Sequence, residues 1–125
     1  MQTKLRIETT SQMQKFIDEL YALTNQKGAS EIKRKQWRLV YVTDGKVNVD
    51  SQKCCEPIYI TTKDISVSGL GFMTKQKFQR DQKLIIRIET DSGEVELEGN
   101  VVHCTPSVGM YKVGVKLKLI PVENN

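Results

Sequence analysis

A small, mainly β barrel with one helix in front of it is the fold class this sequence predicts, on three observations. From Pro57 onward, short apolar alternations recur between turns built from Gly, Asp, Ser and Pro, the pattern of consecutive antiparallel strands. Ahead of them, an apolar periodicity of helical spacing runs over residues 11–26. The chain has 125 residues, 38% hydrophobic and 27% charged, enough for one modest core, and closing the sheet around that core removes exposed edges.

Residues 1–10 leave two readings open. Leu5 and Ile7 alternate with Lys4, Arg6 and Glu8, as a short strand or the approach to a helix would. From Ser11 the pattern sharpens. Ser11 and Gln14 have the spacing of a capping box, in which both side chains satisfy orphan backbone N–H groups. Met13, Phe16, Ile17, Leu20, Tyr21 and Thr24 then fall on one helical face, and Gly28 is a natural stop. The apolar stripe of helix 11–26 needs a cover, either this chain's own sheet or the same helix of a second copy in a homodimer.

Residues 27–36 read as a linker, with Gly28, Ala29 and Ser30 before a basic cluster. A first strand is expected from about Gln36 to Thr43, with Asp44-Gly45 as a hairpin turn and Val47 and Val49 on a return strand. After Pro57 come Ile58–Lys63, a tight bend, and Gly69–Thr74. A polar loop over residues 75–82 leads to Leu84–Ile88, which ends at Asp91-Ser92-Gly93. Val95–Cys104 alternates and is long, with Gly99 the expected place for a bulge. A turn over Thr105–Gly109 leads into Tyr111–Leu119. No internal repeat or low-complexity segment interrupts this order. The division expected is an N-terminal helix and linker at 1–32 and a barrel at 33–121, together one globular domain.

Several function classes fall away on composition. No apolar run has the length needed to cross a bilayer. The N-terminal MQTKLRIETT lacks the apolar core of a signal peptide, so a cytoplasmic location is expected. A net charge of +4 with pI near 9.0 suits an anionic small ligand better than coating DNA. The three cysteines, Cys54, Cys55 and Cys104, are odd in number and do not describe a disulfide framework. With His103 they also lack the intervening residues of the usual zinc sites. The sequence has no P-loop and no dinucleotide fingerprint, and His103 sits on a strand with no nucleophile beside it. A binding module is expected, not an enzyme, with no metal and no cofactor.

Two stretches carry candidate binding chemistry. The first is the bend Asp64-Ile65-Ser66-Val67-Ser68-Gly69. Asp64 can accept paired N–H donors from a guanine edge, the serine hydroxyls can serve a phosphate oxygen, and Gly69 lets a ligand approach the main chain. A hairpin uses the same residues for turn chemistry alone, so the second stretch matters. It is basic: Lys27, Lys33, Arg34, Lys35 and Arg38 against one acid, Glu31. In Arg34-x-x-x-Arg38, an extended chain projects both guanidinium groups to one side. Guanidinium contacts phosphates and the O6/N7 edge of guanine in bidentate fashion, whereas lysine supplies only a point charge.

Arg34-x-x-x-Arg38 followed across a strand by Asp64-x-Ser66-x-x-Gly69 resembles the PilZ family of bacterial cyclic di-GMP receptors. The resemblance covers roughly residues 33–120 and includes Tyr111-x-x-Gly114-x-x-Leu117, similar to the family's last strand. It implies a six-stranded antiparallel barrel that binds cyclic di-GMP. Arg34 and Arg38 would hold phosphate and guanine, Asp64 and Ser66 the guanine edge and phosphate region, and Gly69 would allow close approach. Lys33 stands where an additional arginine often precedes the first motif. Many members also carry a helix after the barrel, whereas here the helix comes first. The resemblance further implies a protein partner, of the motility or biofilm machinery.

The expected mechanism is a linker, residues 27–36, that orders when ligand draws Arg34 and Arg38 onto the barrel and shifts helix 11–26. Two other classes remain as alternatives: a PilZ-like protein–protein adaptor with weak or no nucleotide binding, and a small barrel for single-stranded nucleic acid. The latter wants several exposed aromatics along a basic groove. Trp37, Tyr41 and Tyr59 are few for that purpose.

Overall fold

The computed structural model describes residues 3–24, 38–49 and 56–121. In chain order the elements are β1 (Thr3–Arg6), α1 (Thr10–Thr24), β2 (Leu39–Val40), β3 (Asp44–Val49), β4 (Ile58–Ile65), β5 (Gly69–Thr74), β6 (Lys83–Thr90), β7 (Gly93–Ser107) and β8 (Met110–Leu117). Six of the strands pair in the order β7-β6-β3-β4-β5-β8, and β8 returns to β7, so the antiparallel sheet closes on itself. The remaining two strands are additions. β1 runs parallel to the start of β7, and β2 pairs antiparallel with the last two residues of β4.

Alternation decides what lies inside. Ile60 on β4, Leu84, Ile86 and Ile88 on β6, Val95 and Leu97 on β7, and Val113 and Val115 on β8 are all buried. Each such side chain contributes about 1.5–3 kcal/mol when fully removed from water. The α1 stripe of Met13, Phe16, Ile17 and Leu20 belongs to the same core cluster. The helix is therefore covered by its own barrel, and a second copy would meet its polar face.

The structure resolves or corrects several local expectations. Residues 3–6 are a strand. The helix starts earlier than Ser11 because Thr9 and Gln12 form the reciprocal cap: the Gln12 amide donates to Thr9 Oγ1 (3.1 Å), while Gln12 Oε1 accepts from the Glu8 and Thr9 amides. The first strand contains only Leu39 and Val40 within the described residues. Asp44-Gly45 is not a turn but the start of β3. Gly45 pairs with Ile60 on one side and Ile88 on the other, and a methyl there would lie 2.7 Å from the Arg87 carbonyl oxygen. Glycine at this position serves close strand approach.

In β7 the bulge falls between Val101 and His103, not at Gly99. The strand runs on to Ser107, and the turn tightens to Val108-Gly109, both with positive φ (42° and 78°). In the polar loop after β5, Phe78 is buried edge-on to Phe72, with centroids 6.1 Å apart. Gln36, Trp37, Cys54, Cys55, Lys33, Arg34 and the rest of the 27–36 linker lie outside the described residues.

Candidate ligand-binding face

Asp64 faces outward because the strand slips by one residue just before it. Ile60 and Thr62 point into the barrel, so strict alternation would send Asp64 inward as well. The register of β4 on β5 shifts between Thr62 and Asp64. Lys63 and Asp64 are thereby both placed on the outer side, and Ile65 returns to the core. A bulge re-aims side chains in this way. The break in β7 does the same on the far side: Val101 is buried, Val102 and His103 are exposed, and Cys104 packs against the core.

Between the two bulges the barrel wall is floored by glycine. Asp64 opposes Gly71, Gly71 opposes Gly114, and Gly114 opposes His103. A methyl on Gly71 would sit 2.8 Å from Asp64 Oδ1, and one on Gly114 would run into the His103 imidazole. The carboxylate and the imidazole thus lie over the strands from opposite sides, in space that side chains would otherwise occupy. Lys116 on β8 pairs with Gly69 on β5, and Lys112 pairs with Met73. Both lysines are exposed.

Arg38 reaches this face because of its neighbour. Leu39 is fully buried and opposes Ile65, which leaves the preceding side chain outside the wall. The Arg38 guanidinium donates from Nη1 to Asp64 Oδ1 at 2.6 Å. Its Nη2 lies 3.7 Å from the place a Gly69 methyl would take. The arginine side chain remains 56% exposed and the aspartate 20%, so the pair is formed and its outer donors still face solvent.

Ser66 plays a different part. It is 5% exposed, and its hydroxyl accepts from the Gly69 amide (3.1 Å) while its own amide donates to the Gly69 carbonyl (2.8 Å). The Ser68 carbonyl accepts from the Leu117 amide, which pins the bend to the end of β8. Gly69 does not have positive φ. What requires glycine there is clearance, since a methyl would lie 2.9 Å from the Val115 carbonyl oxygen.

Charge on this face is one-sided. The Lys63 ammonium is held below the ordinary lysine range, first by the neighbouring Lys112 side chain, then by partial loss of water and by the positive charges of Lys112 and Arg38; Asp64 pulls the other way. Among the described residues no group of three His, Cys, Asp or Glu side chains is placed to hold a metal ion. Two hollows of the described surface lie elsewhere. One of about 870 Å³ runs along Lys46, Tyr59, Met73 and Lys75, and another, between α1 and the β6–β7 turn, is lined by Leu20, Tyr41, Glu89 and Asp91. Neither includes Arg38, Asp64 or Gly69.

Of the residues singled out from sequence, the structure brings Arg38, Asp64, Ser66 and Gly69 to one corner. Arg34 and Lys33 are outside the described residues. From sequence, Gly71 had no binding role, and Gly114 stood only in the Tyr111-x-x-Gly114-x-x-Leu117 pattern, without the His103 ring that covers it. Glycines inside strands at 71 and 114 were the available signal, because strand glycines mark close approach.

A family model for the PilZ domain matches residues 32–125. The chain belongs to the PilZ domain family. PilZ domains are receptors for cyclic di-GMP, binding modules and not enzymes. The barrel is similar to the PilZ domain of YcgR from Escherichia coli, a structure with cyclic di-GMP, at TM-score 0.56 and 8% identity, covering 68% of this chain and 78% of that one. It is also similar to the inhibitor of motility MotI/DgrA of Bacillus subtilis, at TM-score 0.52 and 20% identity, covering 69% of this chain and 43% of that one. At these identities the likeness is one of fold. No curated protein matches the chain by sequence. No described helix is long and apolar enough to cross a membrane.

Proposed function

We propose that this PilZ chain is a cyclic di-GMP sensor that binds the nucleotide on the face made by Arg38, Asp64 and Gly69. In this reading residues 33–121 are the binding domain, and residues 1–32 carry the response. The observation that supports it most is the Arg38–Asp64 pair beside the glycine floor. A carboxylate takes guanine N1–H and N2–H₂, and a guanidinium takes O6/N7 or phosphate. Arg38 has donors left after bonding Asp64, since guanidinium carries five N–H groups.

Arg34 and Lys33 would join from the segment ahead of Arg38 and add charge to the same ligand. Ser66 acts mainly by holding the bend that sets Asp64 and Gly69 at their positions. Binding would order the stretch between α1 and β2 and shift α1 against the barrel, which gives a protein partner in the cytoplasm two surfaces to tell apart. The size of that shift is bounded by the difference in nucleotide affinity between the two arrangements.

Titration calorimetry with cyclic di-GMP tests the reading directly. Saturable binding that Arg38→Ala weakens supports it; a folded sample that ignores millimolar nucleotide overturns it and leaves the adaptor role as the better account. Salt-sensitive binding of oligonucleotides without preference for cyclic di-GMP would favour the single-strand binder instead. Hydrogen exchange over residues 25–38 tests the coupling, which fails if protection is the same with and without nucleotide.

A further inference from the structure

We propose that the hollow between α1 and the β6–β7 turn is a docking site for a basic segment of another protein, one that carries aliphatic side chains among its lysines and arginines. The inference goes beyond the nucleotide reading and does not depend on it, because neither Arg38 nor Asp64 lines this hollow.

The hollow holds about 620 Å³, within the usual size of a ligand pocket and enough for a few side chains. Phe16 and Leu20 on α1 and Val95 on β7 are buried and form its apolar base. Leu5 on β1 and Val42 in the link from β2 to β3 also line it, and they remain 46% and 67% exposed. That link is held in place. The Thr43 hydroxyl donates to the Glu89 carbonyl at 2.8 Å, and the Thr43 amide donates to Thr62 Oγ1 at 2.8 Å. The fold therefore presents two fixed aliphatic side chains to solvent, inside a polar rim, as interaction sites do.

The rim carries one sign of charge. Glu19, Glu89, Asp91 and Glu94 line the hollow, and no described lysine or arginine does, on a chain whose net charge is +4. Glu19, Glu89 and Asp91 are exposed. None of these three carboxylates is in an ion pair among the described residues, whereas Glu96 and Glu98 farther along β7 are paired with Arg6, Arg87 and Lys118. The field reaches the wall of the hollow: after burial, the charge of Asp91 raises the Tyr41 phenol above its ordinary value. This combination selects the occupant. Carboxylates repel nucleic acid and an anionic membrane surface. A small cation would answer the rim and leave the aliphatic walls unused. A segment with both cationic and aliphatic side chains satisfies rim and base together, and opposite charge orients its approach.

The test follows the methyl signals of Leu5, Leu20 and Val42 in the full chain by NMR, during titration with a capped pentapeptide of alternating lysine and leucine. The three residues are expected to shift together and saturate, with affinity falling as salt rises. A pentapeptide of lysine and serine is expected to bind about tenfold more weakly, and one of glutamate and leucine to leave the signals in place. The E89Q/D91N double variant keeps a turn-forming residue at 91 and is expected to lose about tenfold in affinity for the lysine–leucine peptide, with its unfolding midpoint unchanged. Val42→Ser, away from that turn, is expected to weaken the same binding. The docking site is refuted if the methyl signals do not respond, or if folded E89Q/D91N and Val42→Ser bind as tightly as wild type. It is refuted as a mere cation patch if spermine or the lysine–serine peptide binds as well as the lysine–leucine peptide. It is also refuted if K33Q/R34Q/K35Q moves the same methyl signals with no peptide present, since the chain's own basic segment then occupies the hollow.

Discussion

Replacing Arg38 by alanine separates a binding residue from a structural one, because the two roles differ in size. As a structural ion pair, Arg38–Asp64 is weak. The 2.6 Å contact is good, but the arginine side chain is 56% exposed. Two unit charges 4 Å apart gain about 1 kcal/mol in bulk water and about 4 kcal/mol at an effective dielectric constant of 20. Solvent at this face keeps the pair near the first limit, and exposed pairs contribute about 0.2–1 kcal/mol. Arg38→Ala should therefore cost less than about 1 kcal/mol of stability in urea unfolding. As a guanine or phosphate contact the same side chain is worth about 1–3 kcal/mol, a loss of roughly 5- to 150-fold in affinity. Calorimetry on wild type, Arg38→Ala, Asp64→Asn and the double variant should then show a large binding loss on a nearly unchanged fold, with the two singles non-additive. A variant that binds like wild type refutes the site. One destabilised by several kcal/mol refutes the assignment of Arg38 to binding.

Three other perturbations read different parts of the structure. Gly71→Ala places a methyl 2.8 Å from Asp64 Oδ1; the carboxylate must move, so nucleotide affinity should fall while unfolding free energy drops by about 1–3 kcal/mol, as for other overpacked sites. Val108 is fully exposed with φ of 42°, an uncommon state for a β-branched residue, and Val108→Asn should raise stability by about 1 kcal/mol, seen as a melting temperature higher by a few degrees. Burial, and then the charge of Asp91, raise the Tyr41 phenol above its ordinary value. The unfolded chain ionises that phenol first, so the stability it contributes is complete below about pH 10 and is lost as pH rises through the raised folded value. Tyr41→Phe should flatten the alkaline limb of a stability–pH curve, and an unchanged limb would assign it to another group.

Much of the barrel was legible because alternation and burial are the same fact viewed twice. Val113, Val115 and Leu117 are buried between exposed Lys112 and Lys116, as period-two patterning requires. The helix was legible for the same reason at another period. Turn signals were less reliable. Asp44-Gly45 has hairpin composition, but Gly45 is wanted for the approach of Arg87's backbone, a long-range contact with no local mark. The cap shifted from Ser11 to Thr9 because both positions offer a hydroxyl three residues before a glutamine, and the bridge between Thr9 and Ile120 decides where the helix begins.

What the sequence by itself determined was the family and the chemical inventory: two arginines four residues apart, a carboxylate and serine at a bend, and the strands that carry them. These are short-range patterns, fixed by spacing along the chain. Only the tertiary structure decided which of those groups meet and what stands beside them. One-residue slips in β4 and β7 turn Asp64 and His103 outward over a floor of strand glycines. A bulge arises from how two strands share their hydrogen bonds, so it belongs to the pairing and not to either strand alone.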